Sequence, residues 1–265
     1  MDEDVLDALK SHNMVPVDFQ AISRRSPTGR QVWRVTLTDG RIVKARRAMT
    51  EEQARKASKI VNGLSFEGFS RVLALQKKVV IEEWFEGSTL EQPTRIDLEQ
   101  SARSLRRFHD SQVVRQSTTA PHLDRILKRL PLAGLESSEP RLRKLAPEKC
   151  RWGLIHGDFC GSNLVRVDSQ RIFCIDNEWQ REGPILYDLA RTLTLWQLNP
   201  TEETWFLEAY YGPDPVESPD LYWILSALVE SIHNRRKGKL TSVDLPLKRL
   251  NSLLEQNPET SESAF

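Results

Sequence analysis

The first 90 positions carry short runs of β-branched and aromatic residues separated by polar turn residues. Residues 15–23, 31–37 and 41–47 read as strands, broken at Pro27-Thr28-Gly29 and at Thr38-Asp39-Gly40. Asp39-Gly40 suits a hairpin turn, because glycine accepts a positive φ there without steric cost. The period then lengthens. Ala54, Ala57, Val61 and Leu64 make one apolar stripe behind Thr50, which predicts a helix over 50–64 with Thr50 as its N-cap. Residues 71–75 and 78–84 return to strand character, so the first third reads β-β-β-α-β-β.

Beyond Arg95 the spacing is mainly helical. Leu98, Ala102, Leu105 and Phe108 lie on one face of a helix expected over 96–112. Residues 123–130 and 141–145 read as shorter helices, and 152–155, 163–167 and 171–175 as brief strands. Helices follow at 185–198, 202–211, 219–234 and 245–255, with Trp196, Trp205 and Trp223 at core positions. The pattern predicts an α+β chain with a small strand-rich lobe over 1–84. A linker over 85–94, with Glu86-Gly87-Ser88 as its hinge, would join it to a larger, mainly helical lobe over 95–265.

Composition narrows the function classes. The chain has 265 residues, 39% hydrophobic content and a net charge of +1, and its mean hydropathy is −0.49. No apolar run approaches the roughly 18 residues of a membrane-spanning helix, which predicts a protein without a membrane span. Near-neutral charge disfavours a protein that wraps a nucleic-acid backbone. The acidic start Met1-Asp2-Glu3-Asp4 lacks the pattern of a secretory signal. Cys150, Cys160 and Cys174 are an odd set without a C-x-x-C pair, as expected of a cytoplasmic chain and not of a disulfide or zinc scaffold. The overall balance conceals a net +6 over residues 1–178 and −5 over 179–265. Glu202, Glu203, Glu208, Asp220 and Glu230 in the acidic part read either as ordinary exposed helix acids or, if a cationic ligand is held there, as candidates for its contacts. The run Arg235-Arg236-Lys237-Gly238-Lys239 reads as a solvated helix end.

Candidate chemistry concentrates in Ile155-His156-Gly157-Asp158-Phe159-Cys160-Gly161-Ser162-Asn163. A strand ends, a polar loop displays Asp158 and, five residues on, Asn163, and a strand resumes. A second strand ends in Ile175-Asp176-Asn177-Glu178. Two strand ends therefore offer hard oxygen ligands of the kind Mg²⁺ shares with phosphate and water. A carboxylate free of the metal can accept a hydrogen bond from an attacking hydroxyl.

His156-Gly157-Asp158 with Asn163, followed by Ile175-Asp176-x-Glu178, resembles the aminoglycoside phosphotransferase and choline kinase family, small-molecule relatives of protein kinases. Gly183-Pro184 and Asp188-Leu189-Ala190 resemble its downstream segment, Trp84–Leu90 its linker, and Leu105-x-x-Phe108-His109 the helix after it. The resemblance implies a two-lobed protein-kinase-like fold that binds ATP and Mg²⁺ and phosphorylates a small-molecule hydroxyl. Acceptors of the aminoglycoside, amino alcohol and sugar classes are all open. The resemblance further implies Asp158 as catalytic base, and Asn163, Asp176 and Glu178 as metal residues. His156 and Asp188 would support the loop. On the nucleotide side it implies Lys44 as the phosphate lysine, with Arg46 as its substitute on the same strand face, and Glu52 as the lysine's partner. The base would meet the backbone near Glu83 and Phe85. The turn at 23–31 has one glycine where protein kinases carry three. The alternative is a pseudokinase that binds ATP without phosphotransfer.

Overall fold

The structure, a computed structural model, describes residues 1–22, 32–214, 218–237, 246–250 and 253. The phosphate-covering turn expected at 23–31 and the polar stretch 257–263 lie outside the described residues. In chain order the elements are α1 (Glu3–Ser11), β1 (Pro16–Ala21), β2 (Val32–Leu37), β3 (Ile42–Arg47), α2 (Glu51–Asn62), β4 (Val72–Gln76), β5 (Val79–Glu83), β6 (Ser88–Thr89) and α3 (Arg95–His109). There follow β7 (Arg115–Thr118), α4 (Ala120–Leu127), α5 (Leu130–Ala133), α6 (Glu139–Leu145), β8 (Lys149–Ile155), β9 (Leu164–Arg166) and β10 (Ile172–Cys174). The last are β11 (Arg181–Pro184), α7 (Ile185–Trp196), α8 (Pro200–Tyr211) and α9 (Leu221–Lys237). Residues 246–250 are helical.

The chain divides into two compact units, Met1–Ser104 with Cys160–Arg181, and Leu105–Phe159 with Glu182–Phe265. Hydrogen bonding accounts for the place of 160–181 in the first unit. Segment 160–181 is tied to the first unit: β6, β9 and β10 form one small sheet. In addition, Ser70 N–H donates to Cys174 O and Cys174 N–H to Gly68 O, both at 2.8 Å. Gly87, expected as a hinge, is required by close approach: a Cβ there would fall 2.2 Å from the Arg166 carbonyl oxygen.

The first unit is built on an antiparallel five-stranded sheet in the order β1-β2-β3-β5-β4. Alternation along β3 sends Val43 and Ala45 to one face, while Lys44 and Arg46 take the other. The apolar face packs with Trp33, Val35 and Ile81 against Val5, Ala8 and Leu9 of α1. The sequence pattern contained α1 in the spacing of those three residues, behind the acidic first turn Glu3-Asp4. Sequence reasoning placed no element before residue 15 and missed it. Thr50 caps α2 as expected, its hydroxyl accepting from Gln53 N–H at 3.1 Å. Thr50→Ala is expected to lower stability by about 1 kcal/mol, which urea unfolding would measure.

The second unit holds the sheet β11-β8-β7 and most of the helices. Its core joins Ile126, Leu130, Leu142 and Ile155 to Tyr187, Trp223, Leu228 and Ile232. Helix α7 is buried on nearly all sides, from Ile185 through Trp196. Such a helix is normally apolar all round, yet α7 carries Asp188 and Arg191, both buried.

Candidate active site

In the first unit, the strand register assembles a charged cluster. Lys44 of β3 lies directly opposite Glu82 of β5. Opposed residues of antiparallel strands hold their Cβ atoms about 5 Å apart on one face, and long side chains also reach the diagonal neighbour. Lys44 Nζ accordingly stands 3.3 Å from Glu82 Oε2 and donates to the Ile175 carbonyl at 2.9 Å. Arg46, two residues on, forks onto Glu82 at 2.7 and 3.1 Å and reaches Glu178 Oε2 at 3.3 Å. Burial alone would raise the Glu82 carboxyl. The charges of Arg46 and then Lys44 outweigh it and hold that carboxyl well below the usual carboxylate range. Sequence reasoning missed Glu82.

Lys44, Arg46 and Glu178 border a cavity of about 370 Å³. Its wall includes Lys44, Arg46, Asn163, Asp176 and Glu178 beside the apolar Ile22, Val32, Val165 and Ile175. Glu83, Trp84 and Phe85 complete it at the end of β5. Phe85 stacks on Phe173 with ring centroids 4.0 Å apart. Of the expected site residues, Lys44, Glu83, Phe85, Asn163, Asp176 and Glu178 therefore share one cavity. Glu52 does not join them. It is exposed on the first turn of α2, next to Glu51, which pairs with Arg55. The carboxylate that pairs Lys44 is Glu82, a correction whose physical reason is the β3–β5 register. Helix α2 meets the segment after Asp176 through Gln53, whose amide donates to the Glu178 carbonyl at 3.0 Å.

The donor set fits a hard divalent cation. Asn163 offers an amide oxygen and Asp176 a carboxylate on the same cavity wall. Among the described residues no cluster of three or more His, Cys, Asp or Glu could hold a metal by itself. A two-ligand wall matches a cation such as Mg²⁺, which takes its other positions from phosphate and water. Glu178 engages Arg46 through its Oε2.

In the second unit, Asp158 sits in the loop after β8 on a scaffold supplied by α7. Asp188 accepts the backbone N–H groups of His156 and Gly157, each at 2.7 Å, and lies 3.0 Å from His109 Nε2. His109 Nδ1 in turn lies 2.6 Å from the Tyr210 hydroxyl. Gly157 has φ +80°, a left-handed backbone that favours glycine. One helical turn from Asp188, Arg191 donates from Nε to the Gly157 carbonyl, and its Nη2 stands 3.3 Å from Asp158 Oδ1. The loop-supporting geometry expected of His156 and Asp188 is present, with Asp158 N–H donating to His156 Nδ1 at 3.3 Å. Arg191 was not anticipated. Its signal was a charged residue three positions after Asp188 in an otherwise apolar helix.

The acids suggested for a cationic ligand are mostly engaged elsewhere. Glu202 closes the capping box of α8 with Asn199. Glu203 pairs with Arg249 at 3.3 Å, and Glu230 with Arg125 and Arg129 at 2.8 and 3.1 Å. Asp220 accepts the Trp223 N–H at 3.3 Å. Four of the five suggested acids therefore serve caps and ion pairs.

A sequence model of the phosphotransferase enzyme family matches residues 21–217. The chain belongs to this family. No curated protein matches the sequence significantly. Among solved structures, the chain resembles the choline kinase LicA of Streptococcus pneumoniae, with TM-score 0.68 and 16% identity, over 96% of this chain and 97% of that one. It also resembles a Plasmodium vivax ethanolamine kinase, with TM-score 0.68 and 14% identity, over 98% and 85%. A third similar structure is a spectinomycin phosphotransferase solved with ADP and spectinomycin, with TM-score 0.65 and 16% identity, over 96% and 92%. The fold is thus the α+β, protein-kinase-like fold, with an antiparallel sheet in its N-terminal lobe. No helix among the described residues is long and apolar enough to cross a membrane.

Proposed function

We propose that this phosphotransferase moves the γ-phosphoryl group of ATP, in the presence of Mg²⁺, to a hydroxyl of a small molecule. The observation that supports it most is the cavity that gathers Lys44, Asn163 and Asp176 against apolar walls. One side suits a purine and the other suits phosphates. Lys44 would neutralise phosphate oxygens, and the backbone near Glu83 and Phe85 would meet the base. Asn163 and Asp176 would hold Mg²⁺, which when bound supplies charge neutralisation of the transferring phosphate. Asp158 would orient the acceptor hydroxyl and take its proton, while Arg191 and Asp188 keep its loop in place. Catalysis of this kind rests on positioning and electrostatics. Cys150, Cys160 and Cys174, all buried, accord with a cytoplasmic setting, where ATP is at hand.

The acceptor class follows the solved relatives in outline: choline, ethanolamine and spectinomycin, by the names of those proteins, are hydroxyl-bearing amines or quaternary ammonium compounds. The test is a thermal shift with ATP, with and without Mg²⁺, followed by ATP consumption over a panel of hydroxylated amines and sugars. At a hundred-fold excess over Kd, MgATP is expected to stabilise the fold by about 2.7 kcal/mol, and EDTA to remove most of that gain. Stabilisation with no turnover on any acceptor would favour the pseudokinase reading.

A further inference from the structure

Glu82 is fully buried and surrounded by two cations. A carboxylate is tolerated there only when its charge is met, and it then fixes whatever meets it. Arg46 grips both Glu82 oxygens as a fork, which immobilises the carboxylate. Lys44 is the only other cation paired with Glu82 among the described residues, and it is the less buried of the two, with its side chain 12% exposed on the cavity wall. The α2 side chain that reaches this region is the neutral amide of Gln53. The acid that meets Lys44 is thus strand-borne, placed by the register Lys44↔Glu82.

We infer that Glu82 is the positioning residue that aims Lys44 at a nucleotide phosphate, a task the sequence pattern assigned to Glu52. The inference rests on the nucleotide reading of the cavity. In this arrangement Lys44 is anchored to the sheet itself, so its position does not depend on any carboxylate of α2. Glu82 touches no substrate. Its effect on nucleotide binding passes through Lys44, which separates a positioning role from a general structural one.

The test is a double-mutant cycle on MgADP affinity, measured by isothermal titration calorimetry on the full chain. Lys44→Met and Glu82→Gln are each expected to weaken MgADP about ten-fold, the size of one charge-assisted contact. The double variant is expected to bind as weakly as Lys44→Met and no worse. Glu82→Asp, which keeps the charge, is expected to recover most of the affinity; should Glu82→Gln fail to fold, Glu82→Met, of similar volume and uncharged, carries the same cycle. Losses that multiply to about a hundred-fold in the double variant would overturn the inference, since Glu82 would then act independently of Lys44. So would a Glu52→Gln variant that loses affinity as Lys44→Met does while Glu82→Gln binds normally. A parent protein with no MgADP affinity would overturn the nucleotide reading and the inference together. Binding by the parent with multiplicative losses would overturn the inference alone.

Discussion

Asp158→Asn is expected to lower phosphoryl transfer by about 10²–10⁴-fold, the usual contribution of a positioned general base. MgADP affinity and the melting temperature should stay near those of the parent. The side chain keeps its shape and an oxygen that can still accept from Arg191, which stands 3.3 Å from Asp158 Oδ1. The loop backbone is held by groups outside the substitution: Asp188 at the His156 and Gly157 N–H groups, and Arg191 at the Gly157 carbonyl. What the amide loses is the capacity to take a proton from a hydroxyl. The measurement is the steady-state rate of ADP release with an accepted substrate, next to calorimetric MgADP binding. A variant that turns over at the parental rate would remove Asp158 from the mechanism.

Asp188→Ala carries the largest expected cost in stability. The carboxylate is fully buried and receives two backbone N–H groups besides facing His109. Removing it orphans these buried donors, each at about 1–3 kcal/mol. A loss of about 3–5 kcal/mol follows, a large share of an ordinary domain's stability. Urea unfolding would read it as a shifted midpoint, and activity would fall with it as the Asp158 loop loses its anchor. The ionisation of Asp188 gives the pH signature. Burial would raise its carboxyl, but the His109 hydrogen bond, the nearby histidine charges and the His156 N–H outweigh burial and hold it below the usual range. A carboxyl depressed in the folded state stabilises above its unfolded value of about 3.9 and loses that contribution as pH falls through the folded value. The parent is therefore expected to lose stability on acidification below about pH 4, and Asp188→Ala to lose less over the same interval.

The sequence revealed what is local. The stretch His156-Gly157-Asp158 with Asn163, the Asp176 strand end and the Thr50 cap are all set by residues close in the chain. Lys44 was picked out by the family resemblance, and the two-residue alternation of β3 puts Arg46 on the same face. Glu82 was illegible because its partner depends on which strands pair: β3 and β5 are neighbours in the sheet, with α2 and β4 between them in sequence. Without that register, a carboxylate at the start of the following helix was the expected partner. The strands β6, β7 and β11 span only two to four residues, too short for a periodic signal, and arise from long-range pairing. Arg191 and α1 were readable, the first as a charge in an apolar helix and the second in the spacing of Val5, Ala8 and Leu9. The acids of the last third show the opposite hazard. Counting charge left room for a cationic ligand, whereas side-chain geometry ties Glu202, Glu203 and Glu230 to a cap and internal ion pairs.

The central claim is phosphoryl transfer to a small-molecule hydroxyl. Its most direct test is to incubate the protein with γ-labelled ATP, Mg²⁺ and a panel of hydroxylated amines and sugars, and to follow the label into the acceptor. Label should appear on at least one acceptor, depend on Mg²⁺, and nearly vanish with Asp158→Asn. A protein that binds MgATP yet transfers label to no acceptor on the panel would contradict the claim.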